Sequence, residues 1–344
     1  MYWKPVWHLL DGVCELVLAN SAHVRNIPGR KTDVNDAMWI VDLLAHGLVR
    51  PSFVPPTPIL DLRDLTRTRK QLVREISQHT LRIQKVLEDA NIKITGLISD
   101  LLGLSGRAIL AALAAGEQDP ERLAGLAQGL LKRKHAMLVE GLRGNVRDHH
   151  RFLLNLHLEQ IQALERAVAE VEGRLGEVMA PFRWAARLLK TMPGVSDVVA
   201  QVIVAEIGTD MSRFPTAGHL VSWAGLCPRL QESAGKRRST RTRHGAPWLK
   251  TVMVQAAWAA SRKRDSYLKA QFLRLKGRRG PKKAILAVAA SMMVAVYHML
   301  RDGMEYQDLG GDHFSRRDRD KIAHRLIRRL EELGLEVRVE PAAA

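Results

Sequence analysis

The sequence predicts a mainly α-helical protein in three parts: a partial α/β domain, a long helical insert and a helical C-terminal domain. Three observations carry this. A helical pattern and a short strand-like run occur together only near the start. Two long helical patterns bracket a segment broken by glycines and Asp119-Pro120. Beyond residue 182, apolar helices alternate with Gly/Pro turns. The parts divide as 1–56, 57–180 and 181–344.

Residues 3–10 space apolar side chains at helical intervals, and Asp11-Gly12 turns the chain into the run 13–19, which reads as a short buried strand. Pro28 and Gly29 mark a loop over 23–30. Thr32 or Asp33 then caps a helix reaching about Leu48, with Ala37, Ile40, Val41, Leu43 and Leu44 on its apolar face. Pro51, Pro55, Pro56 and Pro58 punctuate a connector, after which 59–91 holds neither Gly nor Pro and reads as one long helix. Over 152–178, Leu153, Leu156, Ile161, Leu164, Val168, Val171, Leu175 and Val178 form an apolar stripe. It suits a coiled coil with a partner copy, or equally a helix packed on its own domain. Residues 282–301 are apolar almost all round and should be core, whereas 316–329 is a strongly basic helix.

The chain has 344 residues, 53 Lys and Arg against 36 Asp and Glu, and a formal net charge of +17. With 46% hydrophobic residues it can bury a core, so the excess charge points to a polyanionic partner, most commonly nucleic acid. Cys14 and Cys227 lie far apart, which excludes a disulfide framework or a Cys-x-x-Cys zinc site and fits a reducing bacterial cytoplasm. No signal peptide or membrane partner is expected, because Lys4 interrupts the N-terminal apolar pattern.

Three motifs could carry chemistry. In Lys31-Thr32-Asp33-Val34-Asn35-Asp36, two carboxylates three residues apart share one helix face and could hold a divalent metal against phosphate oxygens, although acids at helix starts also serve the helix dipole. In Leu188-Leu189-Lys190-Thr191-Met192-Pro193-Gly194-Val195, a helix end, a Pro-Gly turn and a following helix form a helix-hairpin-helix pattern. Its amides, Gly194 among them, suit DNA phosphates, and a plain packing unit is the alternative. The stretch from Gln231 to Arg243 sets Ser233 among Lys236, Arg237, Arg238, Arg241 and Arg243, with Arg229 just before it. Cations of this density bind phosphate and can stabilise charge on a phosphate attacked by the serine hydroxyl. A basic loop with no chemistry is the simpler account.

In this order, the motifs resemble the transposases of the insertion-sequence-110 family over essentially the whole chain. YWKPVWHLLDG from Tyr2 and HVRNIPGRKTDVNDA from His23 are similar to the back half of that family's RuvC-like, RNase H-like domain. WAGLCPRLQESAGKRRS from Trp223 and YHMLRDGMEYQDLGGDHF from Tyr297 are similar to its C-terminal transposase domain. The resemblance implies a four-carboxylate site for two magnesium ions, of which Asp33 and Asp36 match the last two carboxylates. It also implies a serine nucleophile, matched by Ser233. The partners it implies are element-end and target DNA, a structured guide RNA and a homo-oligomer, dimer or tetramer. The first Asp and the Glu of the family's pattern would fall before Met1, so the expectation is a copy truncated or mis-started at its N-terminus. A non-catalytic nucleic-acid-binding remnant and a structure-selective junction resolvase are the rival readings.

Overall fold

In the computed structural model, the described residues are 3–19, 24, 36–49, 51–52, 54–228, 231–233, 236–239, 241–242, 245–317 and 319–337, and they are mainly helical. Helix α1 is Trp3–Leu10 and α2 is Asp36–Ala45; Lys4 ties α1 to the long helix beyond α2, Thr57–Asp89, through a 2.9 Å ion pair with Asp64. The loop expected over 23–30 and the cap at Thr32 or Asp33 lie outside the described residues, apart from Val24.

Two expectations for this region need correction. Residues 13–19 do not form a buried strand. Val13 is 75% exposed, and the pairing here is a single bridge from Ala19 to Pro51, because no neighbouring strand among the described residues offers a ladder. The apolar face assigned to α2 is also mostly uncovered. Of its members only Leu43 is buried, while Ile40, Val41 and Leu44 face outward with no packed layer over them.

Helix α3, Thr57–Asp89, is 33 residues long, starts with Pro58 in its first turn and runs about 50 Å. Helix α7, Asp148–Val178, returns alongside it. Between them, α4 (Leu104–Ala114), α5 (Pro120–Gly125) and α6 (His135–Gly141) close over the far end of the pair. Asp119 caps α5 by accepting from the Glu121 amide at 3.0 Å. This end has its own core, with Ile83, Leu87, Ile109, Leu113, Leu138 and Ile161 among its members. The stripe of 152–178 therefore meets α3 of the same chain. It is sealed at Leu154, Ile161 and Leu175 and half-buried at Leu164, Val168 and Val171.

Besides an Arg69–Glu172 ion pair at 2.7 Å, two polar contacts made by histidines join the long helices. His150, buried at the start of α7, accepts from the Arg147 amide on Nδ1 (3.2 Å) and so donates from Nε2 to Asp89 at 2.9 Å. This hydrogen bond holds the Asp89 carboxyl below its ordinary range, against the opposing effect of desolvation. Nearer the far end of the pair, His79 and His157 face each other with Nδ1 atoms 3.3 Å apart, and the Arg82 guanidinium reaches His79 Nε2 at 3.4 Å. Arg82 donates to Nε2, so His79 donates from Nδ1, and the pair is made for two neutral rings.

The second core is built by α8 (Arg183–Lys190), α9 (Asp197–Ile207), α10 (Ala217–Trp223), α11 (Pro247–Ala260), α12 (Tyr267–Arg279) and α13 (Pro281–Asp302), followed by α14 (His313–Arg317) and α15 (Arg319–Glu331). Helix α13 is long and apolar enough to cross a membrane. Ala284, Ile285, Val288, Ala289, Met292, Met293 and Val296 are nevertheless buried within this domain, as a core helix requires. Ile59 and Leu62 of α3 and Leu175 of α7 belong to the same core, so the root of the helical hairpin is part of it.

The root is also held by charge. Glu206 of α9 is 1% exposed and accepts two parallel hydrogen bonds from Arg67, Nε to Oε1 and Nη2 to Oε2, both at 2.9 Å. Arg63 donates to the Glu206 and Ala205 carbonyls at 2.6 and 3.2 Å, with its Nε 3.6 Å from the carboxylate. Burial pulls the Arg63 pKa down and the Glu206 carboxylate opposes that shift.

Glu206→Ala should cost about 3 to 5 kcal/mol in urea unfolding, because it strands two guanidiniums in a site with little water. Glu206→Gln should recover part of that loss. A second expectation concerns pH. Burial, and the charges of their neighbours, hold the His79 and His157 pKa values below the ordinary histidine value of about 6.5. The unfolded chain thus takes up protons first as pH falls. Stability should be full above about pH 6.5 and decline below it, and His79→Leu with His157→Leu should flatten the decline in urea midpoints between about pH 7.5 and 5.5.

Candidate nucleic-acid interface

The basic stretch folds as a two-stranded antiparallel hairpin. Strand β1 is Gln231–Ser233 and β2 is Lys236–Ser239. Gln231 pairs with Ser239, Glu232 with Arg237 and Ser233 with Lys236, and a bulge falls between Gln231 and Glu232. The bridge from Pro228 to Thr242 continues the ribbon toward the domain. Ser233 is therefore the last paired residue of β1 before the turn, and Lys236, Arg237 and Arg238 follow along β2. Arg229 and Arg243 lie outside the described residues; Arg241 is exposed beside the foot of the hairpin.

Backbone crowding explains where the ribbon leaves the domain. Gly245 has φ +54°, and a Cβ there would sit 2.5 Å from the Gly225 Cα and amide nitrogen. Only two glycines let the entering and leaving chains cross so closely. Just beyond, Pro247 opens α11 and sets Trp248 against α3, with Lys70 5.3 Å and Arg67 5.6 Å from its ring. Lys250 donates to the Thr242 hydroxyl at 2.8 Å and ties the hairpin foot to α11. Burial lowers the Lys70 pKa. Trp248, Lys250, Arg67 and Lys70 were not among the residues singled out from sequence. The signal for two of them was Trp248-Leu249-Lys250 following directly on the basic stretch, whereas Arg67 and Lys70 are far away in the chain.

The Pro193-Gly194 turn joins α8 to α9 as the helix-hairpin-helix pattern requires, and its surroundings are specific. Gly194 has φ +82°, and a Cβ would lie 2.2 Å from the Ala256 carbonyl of α11. Ser196 caps α9 through the Val199 amide at 3.4 Å, and Asp197 in its first turn is ion-paired with Lys190 at 2.6 Å. That helix start thus already carries a carboxylate. The observed work of the turn is packing on α11.

Asp36 opens α2, and Asp33 lies outside the described residues. Two carboxylates at this spacing suit one magnesium ion, which keeps water and substrate phosphate oxygens in its other octahedral positions. No group of three or more metal-ligating side chains gathers among the described residues.

Comparison with known proteins matches the transposases of the IS116/IS110/IS902 family over residues 186–273, and the DEDD transposases of IS110 elements over residues 1–92. This chain belongs to the IS110 family of transposases. A relative described as the insertion element IS110 uncharacterized 43.6 kDa protein, from Streptomyces coelicolor, is 33% identical over 122 residues. That match spans 35% of this chain and 30% of the relative's length. The IS116/IS110/IS902 match covers α8 to α11 with the whole hairpin, and the DEDD match covers α1, α2 and all of α3.

Gly194→Ala should lower the thermal midpoint markedly, because both the left-handed φ and the overlap with the Ala256 carbonyl oppose a side chain. A loss of about 2 kcal/mol or more in denaturant titrations is expected, well beyond the helix-propensity change for an exposed glycine.

Proposed function

We propose that this chain acts as the DNA recombinase of an insertion element, binding element ends and target through the β1–β2 hairpin and joining strands through Ser233. The observation that carries the reading is family membership combined with a cation-dense ribbon whose first strand ends at Ser233. In the proposed step the Ser233 hydroxyl oxygen attacks a phosphodiester phosphorus and forms a serine–phosphate bond. The bond to the leaving strand's oxygen breaks, and that oxygen takes up a proton as the hydroxyl gives one up. A strand hydroxyl then attacks the same phosphorus and releases the serine, so the exchange conserves phosphodiester bonds and needs no outside energy source.

Serine is a weak nucleophile at its ordinary pKa, so the neighbouring cations must hold the phosphate and stabilise the charge developing on it. Lys236, Arg237 and Arg238, with Arg229, Arg241 and Arg243, supply that field. Asp33 and Asp36 would hold Mg2+, which neutralises phosphate charge when bound. Gly194 would contribute a backbone contact to DNA. A structured guide RNA and self-association belong to the same proposal, with a surface other than the 152–178 stripe, which α3 already covers.

A second reading is nucleic-acid binding without cleavage, for which the cation density of the hairpin suffices with no chemistry at Ser233. Both readings expect steep salt dependence. With about six phosphates neutralised, log K should fall against log salt with a slope of roughly −5 on duplex DNA, and Arg237→Ala with Arg238→Ala should flatten it by about 2. Mass spectrometry of protein trapped on element-end DNA with Mg2+ separates them. An adduct at Ser233 that disappears in Ser233→Ala supports the recombinase. Binding without any adduct supports the binding-only protein, and an adduct at Ser239 or Thr240 moves the nucleophile.

A further inference from the structure

Helix α3 is polarised around its axis. One face packs on α7 through Leu72, Ile76, His79 and Ile83, as their burial and the His79 contact indicate. The opposite face, at three- and four-residue intervals, carries Arg67, Lys70, Arg74, Gln78, Arg82 and Lys85 with no carboxylate among them. Gln78, Arg74, Arg82 and Lys85 are exposed, and among the described residues Arg74 and Lys85 have no ion-pair partner. Helix α7 is charged the other way, with Asp148, Glu159, Glu165, Glu170, Glu172 and Glu177 against Arg151, Arg166 and Arg174.

A solvated helix surface normally mixes both signs at four-residue spacing, because alternating pairs stabilise the helix and like charges cost a few tenths of a kcal/mol. A single-sign face therefore forgoes local stabilisation along about 22 Å of helix. It also has a direction: its near end meets Trp248, where Lys70 lies over the ring, and Trp248 follows the foot of the basic hairpin. Lys70, Arg74, Arg82 and Lys85 follow one another at about 6, 12 and 4.5 Å along the axis, with Gln78 in the wider gap, so successive cations can meet separate phosphates.

We infer that the outward face of α3 from Lys70 to Lys85 is a track for a nucleic-acid phosphate backbone, continuous with the β1–β2 hairpin through Trp248. This rests on the nucleic-acid-binding part of the proposed function and extends that surface onto the helical hairpin. The exposed glutamines and Leu81 interleaved with the cations add hydrogen-bonding and apolar contacts without adding repulsion.

The test uses the full chain carrying Arg74→Gln, Arg82→Gln and Lys85→Gln, titrated on long duplex DNA and on single-stranded RNA between about 50 and 200 mM salt. Arg166→Gln with Arg174→Gln on α7 is the control. Loss of three phosphate contacts should flatten the log K against log salt slope by about 2.7 on the duplex or about 2 on the single strand. The nucleic acid whose slope flattens by its full expected amount is the one the track carries. Lysine at positions 74 and 82 should restore the slope, and should the triple variant fail to fold, Lys85→Gln alone should flatten it by just under 1. An unchanged slope on both nucleic acids, while Arg237→Ala with Arg238→Ala still reduces it, overturns the track and leaves the hairpin reading intact. If the parent chain binds neither, both fall. A change confined to sedimentation would assign the face to the acidic α7 of a second copy instead, and would also overturn the track.

Discussion

The architecture turns on one carboxylate. Glu206 is held almost without solvent between Arg63 and Arg67, and those arginines lie in the first third of a helix that leaves the domain to form a distant second core. A buried ion pair is weak evidence for net stability, since desolvation consumes much of its Coulomb energy. Its value here is directional. Two planar guanidiniums on successive turns of α3 meet one carboxylate on α9, which fixes both the depth and the rotation of the long helix. Apolar contacts from Ile59, Leu62 and Leu175 alone would tolerate a change of rotation more easily.

Rotation matters because α3 has two unlike faces. Turned as it is, the helix gives its apolar face to α7 and leaves its cations pointing outward, starting beside Trp248. Arg67 belongs to both arrangements, since it grips Glu206 and lies over the same indole. The anchor of the helical hairpin and the edge of the basic surface are therefore one structure. Strain on one would be felt by the other.

The distal core and the proximal core are joined mainly by the two long helices, and the polar contacts between them grade along their length. Buried His150 meets exposed Asp89 at the far end, and the His79–His157 pair sits nearer that end, beside buried Leu154, Ile161 and Ile83. The stripe is least sealed between the histidines and the root, at Leu164, Val168 and Val171. The histidine contact itself favours two neutral imidazoles.

Much of the helical plan was legible from residue spacing. The long helix after the proline connector, the amphipathic return helix and the apolar core helix near residue 290 all follow from periodicity and from the placement of Gly and Pro, which are local properties. The density of cations around Ser233 was equally plain in the sequence, as was the family resemblance. The failures were of one kind. Residues 13–19 have a strand's composition, but a strand exists only when another strand pairs with it, and α2 has an apolar face that nothing among the described residues covers. Nor could spacing say whether the 152–178 stripe faces a second copy or its own chain; α3 occupies it. The tertiary structure also decided that Gly194 is spent on packing against α11, that Gly225 and Gly245 let the hairpin cross its own base, and that Arg67 and Lys70 reach Trp248 from about 180 residues away. Charge, periodicity and turn chemistry are written residue by residue. Which faces meet depends on contacts between distant segments, and those arise only when the whole chain is packed.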